Sequence, residues 1–544
     1  MVIYGIFLGA HQYSTALIKD GKILYAIENE RITRVKHGYS WFESPKASYV
    51  AIEKATGIKF EDVDYIALSD PGQLRYDLGA YNNSPDKVAN YYFWKQKIRD
   101  FNKPIIAFEH HQCHAAVGYY LSGFQEKTLI LTMDGGSNER NYTTIWLGEK
   151  GNMTKVHQNI EPLEGSLGCI WFELCKHFDY TPVKDEGKIM GLAPQGKLNS
   201  DFYNILDEIC RYQGNLSFST PHNFPFANWA FAQCEGNGFF DTPEKKADIA
   251  FTTQKHFEDN IIPYIKDLKA RYPEYTKLVM SGGLFANVKA NQKINEQCGF
   301  EEVFIAPPMG DEGLSLGAAM LASWKLGEWE HKPTKDVFFG LEYTDEQVMD
   351  AALKFNVKAK GRYTNDMEFI VSELTNRKVF GIFNGRFELG PRALGNRSVI
   401  METTDRGNHS YLNKRFGRDE TMPFAPIVLK SKAKEVFDIK NSEFAAEFMT
   451  ICYNTKEEWI NKIPAVIQKS DKTARPQLVI EDKHPIFYNL LKEYYNKTGI
   501  PVLLNTSFNG HGEPIVNTPA EAFAHLEKGS IDYLLIGNKI YKKK

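Results

Sequence analysis

Hydrophobic and polar positions in the first 150 residues predict a strand-rich start interrupted by two helices. VIYGIFLG, TALIKDG and KILYAIENE predict an antiparallel meander with tight turns. ESPKASYVAIEKATG and HHQCHAAVGYYLSG carry apolar residues at helical spacing and end at Gly57 and Gly123. DVDYIALSD, KPIIAFEH and TLILTMDGG are apolar runs bounded by turn residues, which is typical of buried strands.

A second half with a related pattern follows. KLVMSGGLFAN predicts a strand, a Gly-Gly turn and a helix, and EEVFIAPPMGDEGLSLGAAMLASWKLG predicts a strand, a loop and a helix. This order resembles the sugar kinase, actin and heat-shock ATPase fold, in which two similar α/β halves face each other across a nucleotide cleft. The pattern changes near residues 330–345, so we expect domains at 1–335 and 336–544.

Composition narrows the functional classes. A net charge of −3 provides no global basic field for nucleic acid, although a local basic groove is compatible with it. Seven scattered cysteines without a CxxC pair indicate reduced thiols, and hence a cytoplasmic protein. The start MVIYGIFLGA predicts a buried strand rather than a signal peptide, and we expect no membrane span.

Two histidines and two aspartates form a candidate metal site. His110 and His114 are four residues apart on a predicted helix, so they share one face. Asp134 ends a strand and Asp311 begins a helix in the other half. Two imidazoles and two carboxylates suit a divalent ion such as Fe or Zn. The alternatives are structural histidines, a turn aspartate and an N-cap.

Other residues of the predicted cleft are candidates for catalysis and nucleotide binding. His11 lies in the first turn and is a candidate general base, the alternative being a turn histidine. Lys188 in EGKIMG could contact a phosphate. Glycines after strands allow backbone N–H groups to approach phosphate oxygens, although tight turns explain them equally; they are Gly135, Gly136, Gly282 and Gly283.

The last 200 residues contain a different kind of candidate site. FNGRFELGPRALGNRS places Arg386, Arg392 and Arg397 among glycines, a pattern that favours anion binding by guanidinium groups. LLNTSFNGHGEPI adds short polar side chains after a strand, and Arg475 in TARPQLV is a further candidate. These polar side chains are Asn505, Thr506, Ser507 and Asn509. The sequence therefore predicts a phosphate or adenylate site here.

Together these motifs resemble the O-carbamoyltransferases that act on nodulation factors and on antibiotics such as cephamycin, novobiocin and tobramycin. The matching stretches run from residue 9 to about 516. They are GAHQYSTA, HHQCHAA, MDGGSNE, EGKIMGLAP, SGGLFANV, GDEGLSLGAA, GRFELGPRALGNRS, PFAP and LNTSFNGHGEPI.

The resemblance implies two linked reactions. A C-terminal α/β domain, similar to threonylcarbamoyl-adenylate synthase, would make carbamoyl-adenylate and pyrophosphate from carbamoyl phosphate and ATP, with release of phosphate. The N-terminal domain would transfer the carbamoyl group to an acceptor hydroxyl and release AMP. The implied cofactors are a divalent metal, with Fe expected first and Zn or Mn as alternatives, and Mg-ATP.

The resemblance also assigns residues to the two sites. The metal positions are His110, His114, Asp134 and Asp311, and Asn287 joins the four glycines at the N-terminal carbamoyl-adenylate site. The adenylation positions are Arg386, Arg392, Arg397, Ser398, Arg418, Arg475, Asn505, Thr506 and Ser507. One position departs from the family, because Met422 stands before PFAP where an arginine is usual. The nearby candidates to compensate are Lys414, Arg415 and Arg418.

The acceptor and two other classes of protein remain open at this point. A sugar-kinase-like phosphotransferase would use the N-terminal fold but leave GPRALGNRS without a role, and a non-catalytic nucleotide- or nucleic-acid-binding module is the third class. The composition, rich in Lys, Asn, Ile and Tyr, resembles that of an AT-rich bacterium or phage. We therefore consider sugars, small alcohols and hydroxymethylated pyrimidines in phage DNA as acceptors. The aromatic and basic segment 91–103, which could stack on or bind a strand, motivates the last of these; the alternative for this segment is a packed amphipathic helix. A homodimer is compatible with these expectations.

Overall fold

The computed structural model describes residues 1–7, 11–37, 46–69, 102–135, 141–160, 166–219, 226–418 and 423–544. Three of the predictions fall outside these ranges: the phosphate role of Gly136, the effect of Met422, and most of the aromatic and basic segment, residues 91–101.

The apolar runs at the start of the chain form a five-stranded sheet. Its strands are β1 (Val2–Phe7), β2 (Ser14–Lys19), β3 (Lys22–Glu28), β4 (Tyr65–Ser69) and β5 (Ile105–Phe108). They lie in the order β3-β2-β1-β4-β5, with an antiparallel meander at one side and parallel strands at the other. The helices of this part are α1 (Glu30–Thr33), α2 (Lys46–Thr56) and α3 (His110–Ser122).

A second five-stranded sheet repeats this topology. Its strands are β6 (Thr128–Met133), β7 (Asn141–Glu149), β8 (Asn152–Ile160), β11 (Lys277–Ser281) and β12 (Glu302–Ile305); a separate hairpin has β9 (Arg211–Gly214) and β10 (Ser217–Ser219). The order β8-β7-β6-β11-β12 has the same antiparallel meander and parallel pair as the first sheet. This duplication confirms the predicted actin-like fold.

The helices of the second half include an insertion that the sequence analysis did not predict. They are α4 (Leu167–His177), α5 (Glu186–Leu192), α6 (Ser200–Ile209), α7 (Phe226–Gly236), α8 (Pro243–Arg271), α9 (Val288–Gln297) and α10 (Leu314–Lys325). Helices α4 to α8 lie between β8 and β11 in the chain. Strand β6 is buried at all six positions, as expected for a sheet covered on both faces.

The rest of the chain builds a mixed eight-stranded sheet. The strands after residue 350 are β13 (Val357–Arg362), β14 (Phe380–Phe383), β15 (Arg397–Met401), β16 (Ala425–Leu429), β17 (Tyr453–Asn454), β18 (Thr473–Ala474), β19 (Gln477–Val479), β20 (Val502–Ser507), β21 (Tyr533–Ile536) and β22 (Lys539–Lys543). The sheet order is β13-β22-β21-β14-β15-β20-β16-β19, while β17 pairs with β18 separately.

Eight helices accompany this sheet. They are α11 (Asp345–Ala352), α12 (Met367–Thr375), α13 (Asn408–Phe416), α14 (Lys430–Val436), α15 (Glu443–Ala446), α16 (Glu457–Ile460), α17 (Pro485–Thr498) and α18 (Pro519–Lys528). Within the described ranges, no helix has both the length and the hydropathy that a membrane crossing needs.

Buried polar contacts join the two parts of the chain. Asn291 on α9 donates to the carbonyl oxygen of Thr450 at 2.9 Å, and the backbone N–H of Val303 donates to Ser442 Oγ at 2.8 Å. One contiguous apolar core includes residues from both parts. The predicted boundary at 335/336 therefore divides two units that share a packed interface, and its exact position stays a prediction.

Candidate active site and metal centre

Four predicted metal ligands converge between the two halves of the actin-like fold. His114 Nε2 lies 3.1 Å from Asp134 Oδ2 and 3.4 Å from Asp311 Oδ1, while His110 Nε2 lies 4.0 Å and 3.6 Å from the same atoms. All four ligand atoms lie within 4.8 Å of one another. Two ligands of one ion are at most about 4.2 Å apart when each metal–ligand distance is near 2.1 Å, so the histidine–aspartate distances fit a shared divalent ion.

Local structure explains why these side chains meet. Helix α3 places His110 and His114 one turn apart on one face, and it ends at Gly123 in the left-handed conformation. Asp134 directly follows β6, and Asp311 begins a 3₁₀ turn that leads into α10. His111, between the two histidines, instead contacts Thr132 Oγ1 at 2.7 Å.

The electrostatic environment favours ionised carboxylates in this cluster. Burial opposes ionisation of Asp134, but hydrogen bonds and positive charge from His110 and His114 outweigh burial and hold the pKa of Asp134 well below its usual value. The pKa of Asp311 is also lowered, because His110, His11 and His114 together outweigh burial and the repulsion from Asp134. Two anionic carboxylates beside two imidazoles are a suitable ligand set for a divalent cation.

His11, the predicted general base, lies beside this cluster. Its Nδ1 atom is 3.6 Å from Asp311 Oδ2. The structure therefore brings His11 together with the four candidate ligands. A proton acceptor at this place could act on a hydroxyl group bound next to the ion.

The predicted nucleotide loops of the N-terminal part have internal partners. The backbone N–H groups of Gly135 and Gly283 donate to the two carboxylate oxygens of Asp134, at 2.5 and 3.1 Å, and Gly282 N–H donates to the Met309 carbonyl. Asn287 caps α9 and exchanges hydrogen bonds with Gln254. These contacts position Asp134 and α9, while phosphate binding by these residues stays a prediction.

A second site is a cavity of about 330 Å³, which we call the interdomain cavity because both parts of the chain line it. This volume is within the usual range of small-molecule sites. The N-terminal part contributes charged side chains, which include Glu28, Glu30, Arg31, Lys36, Lys184, Asp185, Lys188 and Glu312. The C-terminal part contributes predicted adenylation residues, which are Arg392, Arg475, Asn505, Thr506 and Ser507.

Within this cavity, hydrogen bonds hold the side chain of Asn505 in a fixed orientation. Its amide nitrogen donates to the Ala393 carbonyl at 3.0 Å and contacts Gln477 Oε1 at 3.3 Å. Its amide oxygen is buried and has no hydrogen-bond partner among the described residues. A buried acceptor of this kind favours a ligand that donates an N–H or O–H group.

The structure places the arginines of FNGRFELGPRALGNRS in different surroundings, and their adenylation roles stay a prediction. Arg386 donates to the carbonyls of Leu24, Phe339 and Gly340, and Arg397 is fully buried and donates to the carbonyls of Asn384, Gly385 and Asn396. Burial lowers the pKa of Arg397 to about 10. Neither guanidinium is part of the described lining of the cavity, so Arg392 alone of the three is placed to meet a ligand there.

Two further predicted residues support the cavity wall. Arg418 donates to Thr506 Oγ1 at 2.8 Å and to the carbonyls of Ser507 and Asn509, both at 2.6 Å. Ser398 accepts from the backbone N–H of Gly395 at 3.0 Å. Arg415, a candidate to replace the missing arginine at position 422, is instead paired with Asp532 at 2.8 Å.

Sequence reasoning missed two groups of residues. Glu388 accepts from the backbone N–H groups of Leu394, Asn396 and Arg397, and so folds the arginine-rich loop around one carboxylate. The segment Glu28–Arg31, which we call the ENER segment, was assigned only to the end of a strand. The sequence feature that could have indicated this segment is the run of charged residues at the end of a buried strand. Charged side chains at such a place must either reach solvent or bind oppositely charged and polar partners.

Comparison with known proteins identifies the family. The model for the carbamoyltransferase N-terminus matches residues 80–320, and the model for the carbamoyltransferase C-terminus matches residues 371–543. The chain belongs to the carbamoyltransferase family. It is accordingly a transferase, as the sequence motifs predicted.

Relatives match this carbamoyltransferase over nearly its full length. Nodulation protein U of Rhizobium tropici is 31% identical, with 100% of this chain and 96% of the relative covered. An uncharacterized protein of Methanocaldococcus jannaschii is 30% identical over 100% of both chains. The 3'-hydroxymethylcephem-O-carbamoyltransferase of Streptomyces clavuligerus is 25% identical, with 99% and 98% covered.

A solved structure of full-length HypF in its phosphate- and nucleotide-bound form is a more distant match. It is 14% identical, covers 60% of this chain and 56% of its own, and has a TM-score of 0.35. A likeness at that level carries no argument. The fold of this carbamoyltransferase is assigned from its duplicated strand order.

Proposed function

We propose that this carbamoyltransferase is an ATP-dependent O-carbamoyltransferase with a carbamoyl-adenylate intermediate. Adenylation would take place in the interdomain cavity, and transfer to a hydroxyl group would take place beside the His/Asp cluster. The observation that carries the proposal is the presence, in one molecule, of a divalent-metal ligand set and a separate cavity with cationic side chains from both parts of the chain.

The atom balance of the first reaction defines what the cavity must hold. Water cleaves carbamoyl phosphate to carbamate and phosphate, and a carbamate oxygen then displaces pyrophosphate from the α-phosphorus of ATP. Each species is anionic, so the guanidinium groups of Arg392 and Arg475 and the ammonium group of Lys188 are suitable partners. The amide oxygen of Asn505 is a suitable acceptor for the carbamoyl N–H₂ group.

In the second reaction, an acceptor oxygen attacks the carbamoyl carbon and AMP leaves. His110, His114, Asp134 and Asp311 would hold the ion, which when bound supplies Lewis-acid polarisation of the carbonyl. We propose that His11 removes the hydroxyl proton, because its ring lies next to this cluster. The ligand set suits Fe, Zn or Mn.

A labelled-substrate assay tests the proposal. Purified protein is incubated with Mg-ATP and carbon-labelled carbamoyl phosphate, and AMP, pyrophosphate and transferred label are followed. Equimolar AMP, pyrophosphate and carbamoylated acceptor are the expected result. ADP formation without use of carbamoyl phosphate would instead indicate a kinase of the actin-like fold and contradict the proposal.

The acceptor is resolved by the panel in the same assay. We include simple sugars, small alcohols and DNA with hydroxymethylated pyrimidines, because each presents a hydroxyl group of the required kind. Labelled DNA would support a DNA-modifying role, for which composition and the segment 91–103 are the motivation. Label on a small alcohol or sugar, with none on DNA, would reject that role.

A further inference from the structure

The ENER segment is hydrogen-bonded to two functional loops, and a third loop packs against one of these two. Glu28 Oε1 accepts from the backbone N–H of Gly390 at 2.5 Å, and Arg31 Nη2 donates to the carbonyl oxygen of the same glycine at 2.9 Å. Side chains from the N-terminal part thus bind both backbone polar groups of Gly390. Arg392, the arginine that lines the interdomain cavity, follows two residues later.

Gly390 also fits against the loop that carries a metal ligand. Its φ is +105°, and a Cβ atom there would lie 2.9 Å from the Pro307 carbonyl oxygen and 3.3 Å from Pro308 Cα. Pro307 and Pro308 begin the turn that leads to Asp311. The position of Gly390 is therefore fixed from the metal side as well as from the ENER segment.

The second hydrogen-bonded loop is the one that carries His11. The backbone N–H of Asn29 donates to the Tyr13 carbonyl at 2.8 Å, and Tyr13 lies two residues after His11. One short segment is consequently hydrogen-bonded to the loop of the candidate base and to the loop of the cavity arginine.

The chemistry of the pair argues against a purely stabilising role. Arg31 and Glu28 are 2% and 6% exposed, and Arg31 Nη2 lies 3.3 Å from Glu28 Oε2. Taking a carboxyl group and a guanidinium group out of water costs more free energy than burying an apolar pair of similar size, so this contact is poor evidence for a role in stability alone. What the two side chains do in this structure is bind the N–H and the carbonyl oxygen of Gly390 together.

We propose that Glu28 and Arg31 are positioning residues that hold the loop of Gly390 and Arg392 in a fixed position relative to the His/Asp cluster. Carbamoyl-adenylate is then used for transfer rather than hydrolysed by water. The inference rests on the proposed function. It predicts a specific defect: variants without the Glu28–Arg31 pair transfer less carbamoyl group for each AMP that they release.

The coupling ratio, moles of carbamoylated acceptor per mole of AMP, tests this inference. Wild-type protein should give a ratio near one. Glu28→Ala, which removes the acceptor for Gly390 N–H, and Arg31→Met should lower the ratio at least fivefold, with the missing label recovered as carbamate and carbon dioxide. Gly390→Ala disturbs the same contacts from the C-terminal part and should also lower the coupling ratio. This variant provides the test if Arg31→Met does not fold.

Ser442→Ala is the matched control. Ser442 Oγ accepts from Val303 N–H at 2.8 Å and donates to Asn295 Oδ1 at 2.6 Å, so the variant also removes two buried hydrogen bonds between the two parts. Ser442 lies outside the described lining of the cavity, and the ratio should stay near one. A wild-type coupling ratio in the variants of Glu28, Arg31 and Gly390 would overturn the inference. A wild-type protein that forms no AMP would overturn the proposed function, and the inference with it.

Discussion

At the scale of single residues, position decides what a charged side chain does. His110, His111 and His114 share one helix, yet two face the aspartates and one contacts Thr132. Arg386, Arg392 and Arg397 lie in one short stretch of the chain, yet two bind carbonyl oxygens and one lines a cavity. Nearby residues of the same type therefore provide matched variants, one that tests a proposed functional role and one that tests a structural role.

His114→Ala should remove metal binding and transfer together. His114 Nε2 is the imidazole atom nearest to both aspartates, so its loss leaves too few ligands to hold a divalent ion firmly. We expect metal content, measured by mass spectrometry, to fall at least tenfold and transfer to fall at least a hundredfold. His111→Ala is the control and should keep its metal while losing about 1–3 kcal/mol of stability. Equal metal loss in both variants would contradict this assignment.

Arg392→Met and Arg386→Met should affect different quantities. Loss of a charge-assisted hydrogen bond to a substrate anion costs about 1.5–3 kcal/mol, so kcat/KM of Arg392→Met should fall about 10- to 100-fold. Arg386→Met should instead lower the free energy of unfolding by about 1–3 kcal/mol, because it removes the hydrogen bonds from the guanidinium group to the carbonyls of Leu24, Phe339 and Gly340. Steady-state kinetics and urea unfolding of both variants measure the difference. A selective KM defect in Arg386→Met would restore its predicted adenylation role.

Residue type and spacing predicted the convergence of the two histidines and two aspartates, but only part of the cavity lining. His110 and His114 share a face through helical spacing alone, and Asp134 follows an unmistakable buried strand. Nothing in FNGRFELGPRALGNRS distinguishes an arginine that meets a ligand from one that meets a carbonyl oxygen of its own loop. Glu28 and Arg31 were missed because their partner, Gly390, is more than 350 residues away in the chain.

At the scale of elements, two helices set the geometry of the metal cluster. Helix α3 carries both histidines, and α10 begins just after Asp311. A Cβ atom at Gly317 on α10 would lie 2.1 Å from the Cys113 carbonyl oxygen on α3. The helices approach this closely because glycine has no side chain at the contact. Periodicity predicted both helices, whereas their contact and the inserted helices α4 to α8 depend on tertiary packing that local pattern does not encode.

Gly317→Ala should therefore loosen the metal cluster without altering any ligand. The added methyl group forces α3 and α10 apart, and overpacking of this kind costs about 1–3 kcal/mol. We expect a lower melting temperature and weaker retention of metal during dialysis against a mild chelator. Gly236→Ala is the control, because a Cβ atom there meets nothing within 4 Å. Normal metal retention in Gly317→Ala would show that the helix contact does not govern the cluster.

At the scale of the whole molecule, the half-buried His484 should make the fold sensitive to mild acid. Burial lowers the pKa of His484 to about 4, helped by Lys483 and Lys335 and opposed by Asp482. The unfolded chain takes up this proton near pH 6.5, whereas the folded chain does so only near pH 4, so stability falls as pH drops between those values. We expect a loss of about 1–3 kcal/mol from this residue. Urea unfolding of wild type and His484→Gln from pH 7.5 to 4.5 tests this, and identical slopes would contradict it.

The two sites use different side chains, so the two reactions of the whole molecule should be separable by metal removal. The metal ligands lie outside the described lining of the interdomain cavity, where adenylation is proposed. Protein stripped with a chelator and returned to Mg²⁺ buffer should form pyrophosphate within about twofold of the untreated rate, since no cavity cation is lost. Transfer of label to the acceptor should fall at least tenfold, and re-addition of Fe, Zn or Mn in separate samples should identify the ion that restores it.

His114→Ala is the control for metal removal. It should show the same loss of transfer as the stripped protein, and none of the three metals should restore its activity. If pyrophosphate formation falls in parallel with transfer, the His/Asp cluster also takes part in adenylation. The assignment of the two reactions to separate sites would then be wrong.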